Sequence, residues 1–420
     1  MKHTDSSSAL DTVGTSDTAL KSPATSWVYP ILMFGLFANG VGQTMLFSVL
    51  APIAHEIGFA EIQVGIIIAA SAATTAIVSP FWGRQADRIG RKTVFVFGLA
   101  MYGVTSLIFG GLFALALDRT ISVLLTFFLA VLIRVTYAAL VAGLQPSAMA
   151  LTASITTEKT RASGMALVGG AFSVGAVAGP MLGGIMTTTS LVAPIYVGGA
   201  FALVASVLAW AFLQEGKEPT FKTARKPLHF MDQRIVYVFL SCIFYFTCFA
   251  IMQQTVPFYL QERFGLDAVN TAHYTGFSMT ALASAMIVAQ MGFVSWLKWK
   301  PESLLYLGCL LSVAGLLLFL WSGSLFLVVA SHIIVGFGFG LIYPALQASA
   351  SIAVDPSEQG AVAGLMGTAA AIGYIAGPLI GTGLFSLLGW LPFVVALVLS
   401  VASLSIYQIG RHILGRKPTS

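Results

Sequence analysis

Long apolar runs alternate with short polar breaks along the whole chain after Trp27. The runs lie at 27–51, 63–82, 93–116, 121–151, 162–187, 191–213, 234–259, 272–296, 302–320, 324–352, 358–386 and 389–410. A helix needs about 20 apolar residues to cross a hydrocarbon core of about 30 Å. In lipid each segment must satisfy its own backbone, so these runs predict twelve transmembrane helices. A membrane barrel would instead show strands of about ten residues with alternating polarity, which the sequence does not offer.

The longest polar break, Gln214 to Gln233, carries Lys217, Lys222, Arg225 and Lys226 with Pro219 and Pro227. It reads as a linker at 214–233 between a bundle at 27–213 and a bundle at 234–410. Residues 1–26 are rich in Ser, Thr, Asp and Ala with no apolar core, so they read as a disordered tail and not as a signal peptide. Residues 411–420 read as a second tail. A shift of 198 residues brings Pro146 onto Pro344, Gly175 onto Gly373, Gly179-Pro180 onto Gly377-Pro378 and Gly183 onto Gly381. The fold class this predicts is an all-α membrane protein, with twelve transmembrane helices in two pseudo-symmetric six-helix bundles. Transporters are often built from such repeats, with the substrate site between the halves near the midplane.

Composition agrees: 57% of the 420 residues are hydrophobic and 9% are charged, against about 25% charged in soluble proteins. The mean hydropathy is +0.89. The net charge of +5 is not a nucleic-acid footprint, because its position follows topology. With both ends inside, eighteen Lys and Arg fall on the inner side and two, Arg119 and Arg263, on the outer. That bias predicts cytoplasmic termini. Cys242, Cys248 and Cys309 sit in apolar runs without a Cys-x-x-Cys pair and read as small buried fillers, so no metal is expected.

Three features carry chemistry. Between the second and third runs stands Gly83-Arg84-Gln85-Ala86-Asp87-Arg88-Ile89-Gly90-Arg91-Lys92, whose glycines are expected to form a tight turn. The fifth run holds Gly175-Ala-Val-Ala-Gly179-Pro180-Met-Leu-Gly183-Gly184, a bare stripe at four-residue spacing that lets a partner helix approach closely. The repeat copies it as Gly373, Gly377-Pro378 and Gly381, a mirrored hinge. Arg134 is the one Asp, Glu, Lys or Arg deep within a run. It stands about 13 residues past the start of its helix, roughly 20 Å into the membrane. A cation there is costly unless it meets a wet cavity or a partner.

The first string resembles the loop signature of the major facilitator superfamily, G-x-L-x-D-R-x-G-R-K, with Gln85 where the family has Leu. The second resembles the G-x-x-x-G-P-x-x-G-G motif of that superfamily's antiporters. Arg134 is similar to an Arg in the fourth helix of its drug–proton antiporters, although Val-Thr-Tyr137-Ala138 follows here in place of the usual Gln-Gly arrangement. The resemblance implies a two-bundle transporter of the twelve-span, drug–proton antiporter-like branch, working by alternating access in the inner (plasma) membrane of a bacterial cell. It implies gating or coupling roles for Gly83, Asp87, Arg88, Gly90, Arg91 and Arg134. The expected driving force is a proton gradient, without a bound cofactor, and the expected form is a monomer in the lipid bilayer.

The expected substrate cavity draws Asn39 and Gln43 from the first run, Arg134 and Tyr137 from the fourth, and Phe246, Gln253 and Gln254 from the seventh. Tyr343 and Tyr374 complete it from the tenth and eleventh. No span carries an internal carboxylate, so the proton carrier is expected to be Asp87, His332 or the substrate itself. There is no G-x-x-x-x-G-K-[ST] phosphate loop and no nucleophile–base cluster, which argues against an ATP-driven pump and against an enzyme. Proton-coupled efflux of a small organic molecule is the leading expectation. An uptake symporter on the same fold is the alternative, and a non-transporting sensor a more distant one.

Overall fold

The computed structural model describes residues 27–156, 158–214, 228–294 and 299–415. The expected tail at 1–26, most of the expected linker at 214–233 and the end of the expected tail at 411–420 lie outside the described residues. Among the described residues are twelve helices long and apolar enough to span a membrane. They are α1 (Val28–Ile57), α2 (Glu61–Ile89), α3 (Arg91–Leu117), α4 (Val123–Ile155), α5 (Glu158–Met186) and α6 (Ala193–Phe212) in the first half. The second half has α7 (Val236–Phe264), α8 (Ala268–Val294), α9 (Pro301–Leu320), α10 (Leu325–Ile352), α11 (Gln359–Phe385) and α12 (Leu391–Gly415). Both described ends therefore lie on one side of the membrane, here the terminal face; the other side is the opposite face.

Several helices run past the apolar runs that announce them. α1 continues to Ile57 and stops where Gly58 turns left-handed at φ 93°, its N–H bonded to the Ala54 carbonyl at 3.0 Å. α12 continues to Gly415, so the first residues of the expected tail, 411–415, are helical. The expected turn at Gly83 does not form: Gly83 lies inside α2, and the chain reverses at Gly90 alone, where φ is 97°. The charged string is helical up to Ile89 because a helix leaving the membrane tolerates polar residues, while φ above zero suits only glycine.

Two spans are interrupted. α4 breaks at Ala142–Gly143 before resuming as Leu144–Ile155, and α8 closes with a π-helical stretch, Ala289–Val294. At the opposite face Arg119, at φ 57°, donates to the Glu56 carbonyl at 2.9 Å and the Ile57 carbonyl at 3.3 Å. A cation thus covers the negative end of α1. Ser122, Asp267 and Ser324 cap α4, α8 and α10 with side-chain oxygens.

Within each half the same pairs pack: α1 with α5 and α7 with α11, α3 with α6 and α9 with α12. The apolar core is divided unequally. One cluster runs from Leu46–Ile68 of the first half through most of the second half, joining the two at the opposite face. The terminal part of the first half forms a separate cluster, from Val28 to Leu213.

Candidate functional site

The halves meet through two pseudo-symmetric contacts. In one, α5 crosses α8: the Met181 N–H donates to Thr280 Oγ1 at 3.2 Å, and the Thr280 hydroxyl donates to the Val177 carbonyl at 3.0 Å. In the other, α2 crosses α11. Each crossing sets a glycine of one half on a proline of the other. A Cβ built on Gly276 of α8 would stand 3.0 Å from the Pro180 carbonyl carbon, and one on Gly65 of α2 would stand 2.8 Å from the Pro378 oxygen. Gly65, Pro180, Gly276 and Pro378 lie in the opposite-face halves of their helices, and Thr280 near the middle of α8. Towards the terminal face, Gly170 on α5 and Gly364 and Gly367 on α11 have nothing within 4 Å of a Cβ position. The crossings thus join the halves on the opposite-face side, while these three glycines leave open space beside α5 and α11 on the terminal side.

The glycine stripes explain how α5 and α11 reach this position. Gly175, Gly179 and Gly183 rest on α1: a Cβ on Gly175 would lie 2.9 Å from the Val41 nitrogen, and one on Gly179 2.5 Å from the Val41 oxygen. Gly373, Gly377 and Gly381 rest on α7 in the same way, 2.8 Å from the Thr247 nitrogen, 2.9 Å from the Thr247 oxygen and 2.9 Å from Thr255 Cγ2. Both helices are continuous through Pro180 and Pro378. One side of each helix therefore locks to its own half, and the proline side meets the other half.

The charged string sits at the terminal face. Asp87 accepts from Arg91 at 3.2 Å, and Arg91 also donates to the Ala150 carbonyl at the end of α4 at 3.1 Å. The Asp87 side chain is 68% exposed and its partner 15%, so the carboxylate is open on the side away from Arg91. Arg88 is exposed. Trp82, which the sequence did not single out, donates its indole N–H to the Ala139 carbonyl at 2.6 Å and ties α2 to α4.

The expected cavity residues fall into two groups. In the first half, Gln43, Arg134 and Tyr137 line a pocket of about 410 Å³, part of it open, together with Tyr102, Thr105 and Phe109 of α3. The Arg134 guanidinium lies 4.4 Å from the centre of the Tyr137 ring and 5.8 Å from that of Phe109. Gln43 and Arg134 also approach the Tyr137 hydroxyl. In the second half, Phe246 packs on Tyr343 at 5.2 Å and on Tyr374 at 5.5 Å, and Tyr245 stacks on Tyr343 at 6.0 Å. Gln347 donates to the Tyr343 hydroxyl. Asn39, Gln253 and Gln254 join neither group; Asn39 Oδ1 and Gln254 Oε1 are buried without a partner. His332 is fully buried, with Nδ1 2.8 Å from the Val328 carbonyl, its ring against Phe319 and no partner for Nε2.

A second charged cluster, at the terminal face of the other half, had no sequence signal. Arg234 binds Asp232 through Nη2 at 2.8 Å and Glu358 through Nη1 at 2.9 Å, pinning the start of α7 to the start of α11. The hydrogen bonds from Arg234 hold both carboxyls below their usual range.

Comparison with known proteins follows the same lines. The family model described as Major Facilitator Superfamily matches residues 32–378. Multidrug resistance protein 1 of Bacillus subtilis is 27% identical over 381 residues, covering 88% of this chain and 92% of that protein. Quinolone resistance protein NorA of Staphylococcus aureus is 24% identical over 403 residues, covering 91% and 96%. Among solved structures, a bacterial homolog of the human lysosomal transporter Spinster, in an inward-facing and occupied conformation, aligns with a TM-score of 0.74 at 15% identity. It covers 95% of this chain and 100% of that one. The human organic anion transporter MFSD10 aligns with a TM-score of 0.63 at 19% identity, covering 92% of this chain and 100% of that one.

Proposed function

The chain belongs to the Major Facilitator Superfamily and is a membrane transporter rather than an enzyme, and from that premise we propose that it exports a small organic molecule by alternating access, driven by the proton gradient. The observation that carries this reading is the one-sided closure. α5 and α2 seal against α8 and α11 at the opposite face, while Gly170, Gly364 and Gly367 stand clear towards the terminal face. Such a shape is one end state of a rocking cycle around a central site.

Orientation comes from charge. In the sequence eighteen Lys and Arg fall in segments on the side of the termini and two in segments on the other side, so the terminal face is cytoplasmic and the structure is open inwards. The bundles at 27–213 and 234–410 move as units, linked through 214–233, and a monomer suffices for the cycle. Asp87 and Arg91 are the gate on this face: in the outward-open state the exposed carboxylate meets the second half. Gly175, Gly179, Pro180 and Gly183, with their copies Gly373, Gly377 and Pro378, are the pivots. Gln43, Arg134 and Tyr137 form the substrate surface of one half, and Phe246, Tyr343 and Tyr374 that of the other.

Export is favoured over uptake because the relatives matched over nearly their full length bear the names of resistance proteins, and a compound is resisted by lowering its concentration inside. The test is release of preloaded fluorescent organic compounds from cells that express the chain. Faster release that an uncoupler abolishes supports the reading. Energy-dependent accumulation would replace it with uptake.

A further inference from the structure

The pocket around Arg134 has a charge balance that the export reading leaves open. No other Asp, Glu, Lys or Arg lies more than two turns inside a described span. No carboxylate lines the pocket, and Arg134 takes part in no salt bridge among the described residues. Its Nε is buried without a hydrogen-bond partner. One face of the guanidinium is covered by the Tyr137 ring, 4.4 Å away. Stacking of this kind offsets part of the cost of a desolvated cation, and the Tyr137 hydroxyl accepts from the guanidinium, but Nε, one donor of the fork, is left without an acceptor. Gln43 and Ser106, two further polar side chains of the pocket, bond to Tyr137 and Tyr102 respectively, and neither carries a charge to balance the cation. The walls are Tyr102, Phe109 and Tyr137, flat apolar surfaces around a pocket that is partly open.

We propose that this site takes an aromatic monoanion, its carboxylate or sulfonate on the Arg134 fork and its ring against the aromatic lining of the pocket, where it opens beside Phe109 and the paired Tyr102 and Tyr137. The geometry of guanidinium suits a planar, two-oxygen acceptor. This cargo also answers the missing proton carrier. An anion leaving a negative-inside compartment runs down the electrical gradient, so the proton-motive force acts on the cargo itself and no carboxylate inside a span is required. The inference rests on the transport reading and names its substrate class.

The test uses the purified full chain in detergent and three probes of one shape: 2-naphthoate, neutral 2-naphthamide and 2-naphthylmethylammonium. Binding is followed by quenching of intrinsic fluorescence, with thermal stabilisation as a second readout. The expected result is that naphthoate binds at least tenfold more tightly than the other two, equivalent to about 1.4 kcal/mol. Arg134→Gln removes that preference, and Arg134→Lys keeps part of it. Tighter binding of the ammonium, equal binding of all three, or no naphthoate binding overturns the proposal. A naphthoate preference that survives in Arg134→Gln overturns it too. If Arg134→Gln aggregates, the wild-type charge series and Arg134→Lys still decide. Because binding is read without transport, a chain that prefers naphthoate but exports nothing refutes the export reading and leaves this site standing. The converse refutes the site alone.

Discussion

Replacing Gly276 by Ala tests whether the α5–α8 crossing is the closed gate of the opposite face. The new methyl would meet the Pro180 carbonyl carbon at 3.0 Å and Met181 Cα at 3.4 Å, with the Pro180 oxygen closer still. These are backbone atoms and cannot rotate aside, so α5 and α8 must part. Overpacking of this kind costs about 1–3 kcal/mol. The contact exists only while the opposite face is closed, so the whole cost falls on that state. A coupling of 1–3 kcal/mol is roughly a 5- to 150-fold change in the equilibrium. The bonds from Met181 to Thr280 and from Thr280 to Val177 would stretch with it. Gly383→Ala is the matched control, because there the methyl meets only Ile62 Cδ1 at 3.6 Å, an ordinary contact at the same face. Spin labels on Thr188→Cys and Asn270→Cys report the distance across the crossing; both sites are exposed, and Cys242, Cys248 and Cys309 are buried. Gly276→Ala is expected to populate a longer distance, and Gly383→Ala to match the wild type. A wild-type distance distribution in Gly276→Ala refutes the assignment of this crossing as a gate.

Asp87→Asn is expected to reduce transport strongly at unchanged protein level. Its pair with Arg91 is exposed and contributes about 0–1 kcal/mol to folding; normal transport by the variant would remove Asp87 from the gate. The Arg234 cluster predicts a pH dependence of stability. Asp232 and Glu358 are held below their ordinary values of 3.8 and 4.5 in the fold, so their contribution is complete above about pH 4.5 and is lost as pH falls through the folded values. The difference in Tm between the wild type and Arg234→Gln is therefore expected to be constant from pH 7 to 5 and to shrink below 4.5; a difference that grows in acid contradicts the assignment. For orientation, a reporter after Lys226 is expected in the cytoplasm and one at Asp118–Arg119 outside; the reverse for either breaks the topology.

The number of helices was legible because lipid admits only long apolar segments with internally satisfied backbones, and each span announces itself. Their ends were less so. Hydropathy registers the membrane and not the helix, so the polar last turns of α2 and α12 were missed, and Gly83 was read as a turn residue. The glycine stripes were legible as close-contact surfaces, and the structure supplies their partners, α1 and α7. The pocket was half legible. Arg134 stood out as a lone charge, but Tyr102, Thr105 and Phe109 reach it from a neighbouring helix. Their spacing of three, then four, marks one face of α3 and was the available signal. Nothing local connects Arg234 with Glu358, which lies 124 residues further along the chain. Only the packing of α7 on α11 brings them together.

The most direct measurement of the central claim uses everted inner-membrane vesicles that carry the chain. Their cytoplasmic face is outside, so an exporter fills them. With respiration energising the membrane, the account predicts uptake of fluorescent organic compounds, naphthoate included, that an uncoupler abolishes and Asp87→Asn prevents. No energised uptake in everted vesicles, with accumulation in right-side-out vesicles instead, would contradict it and make the chain an importer.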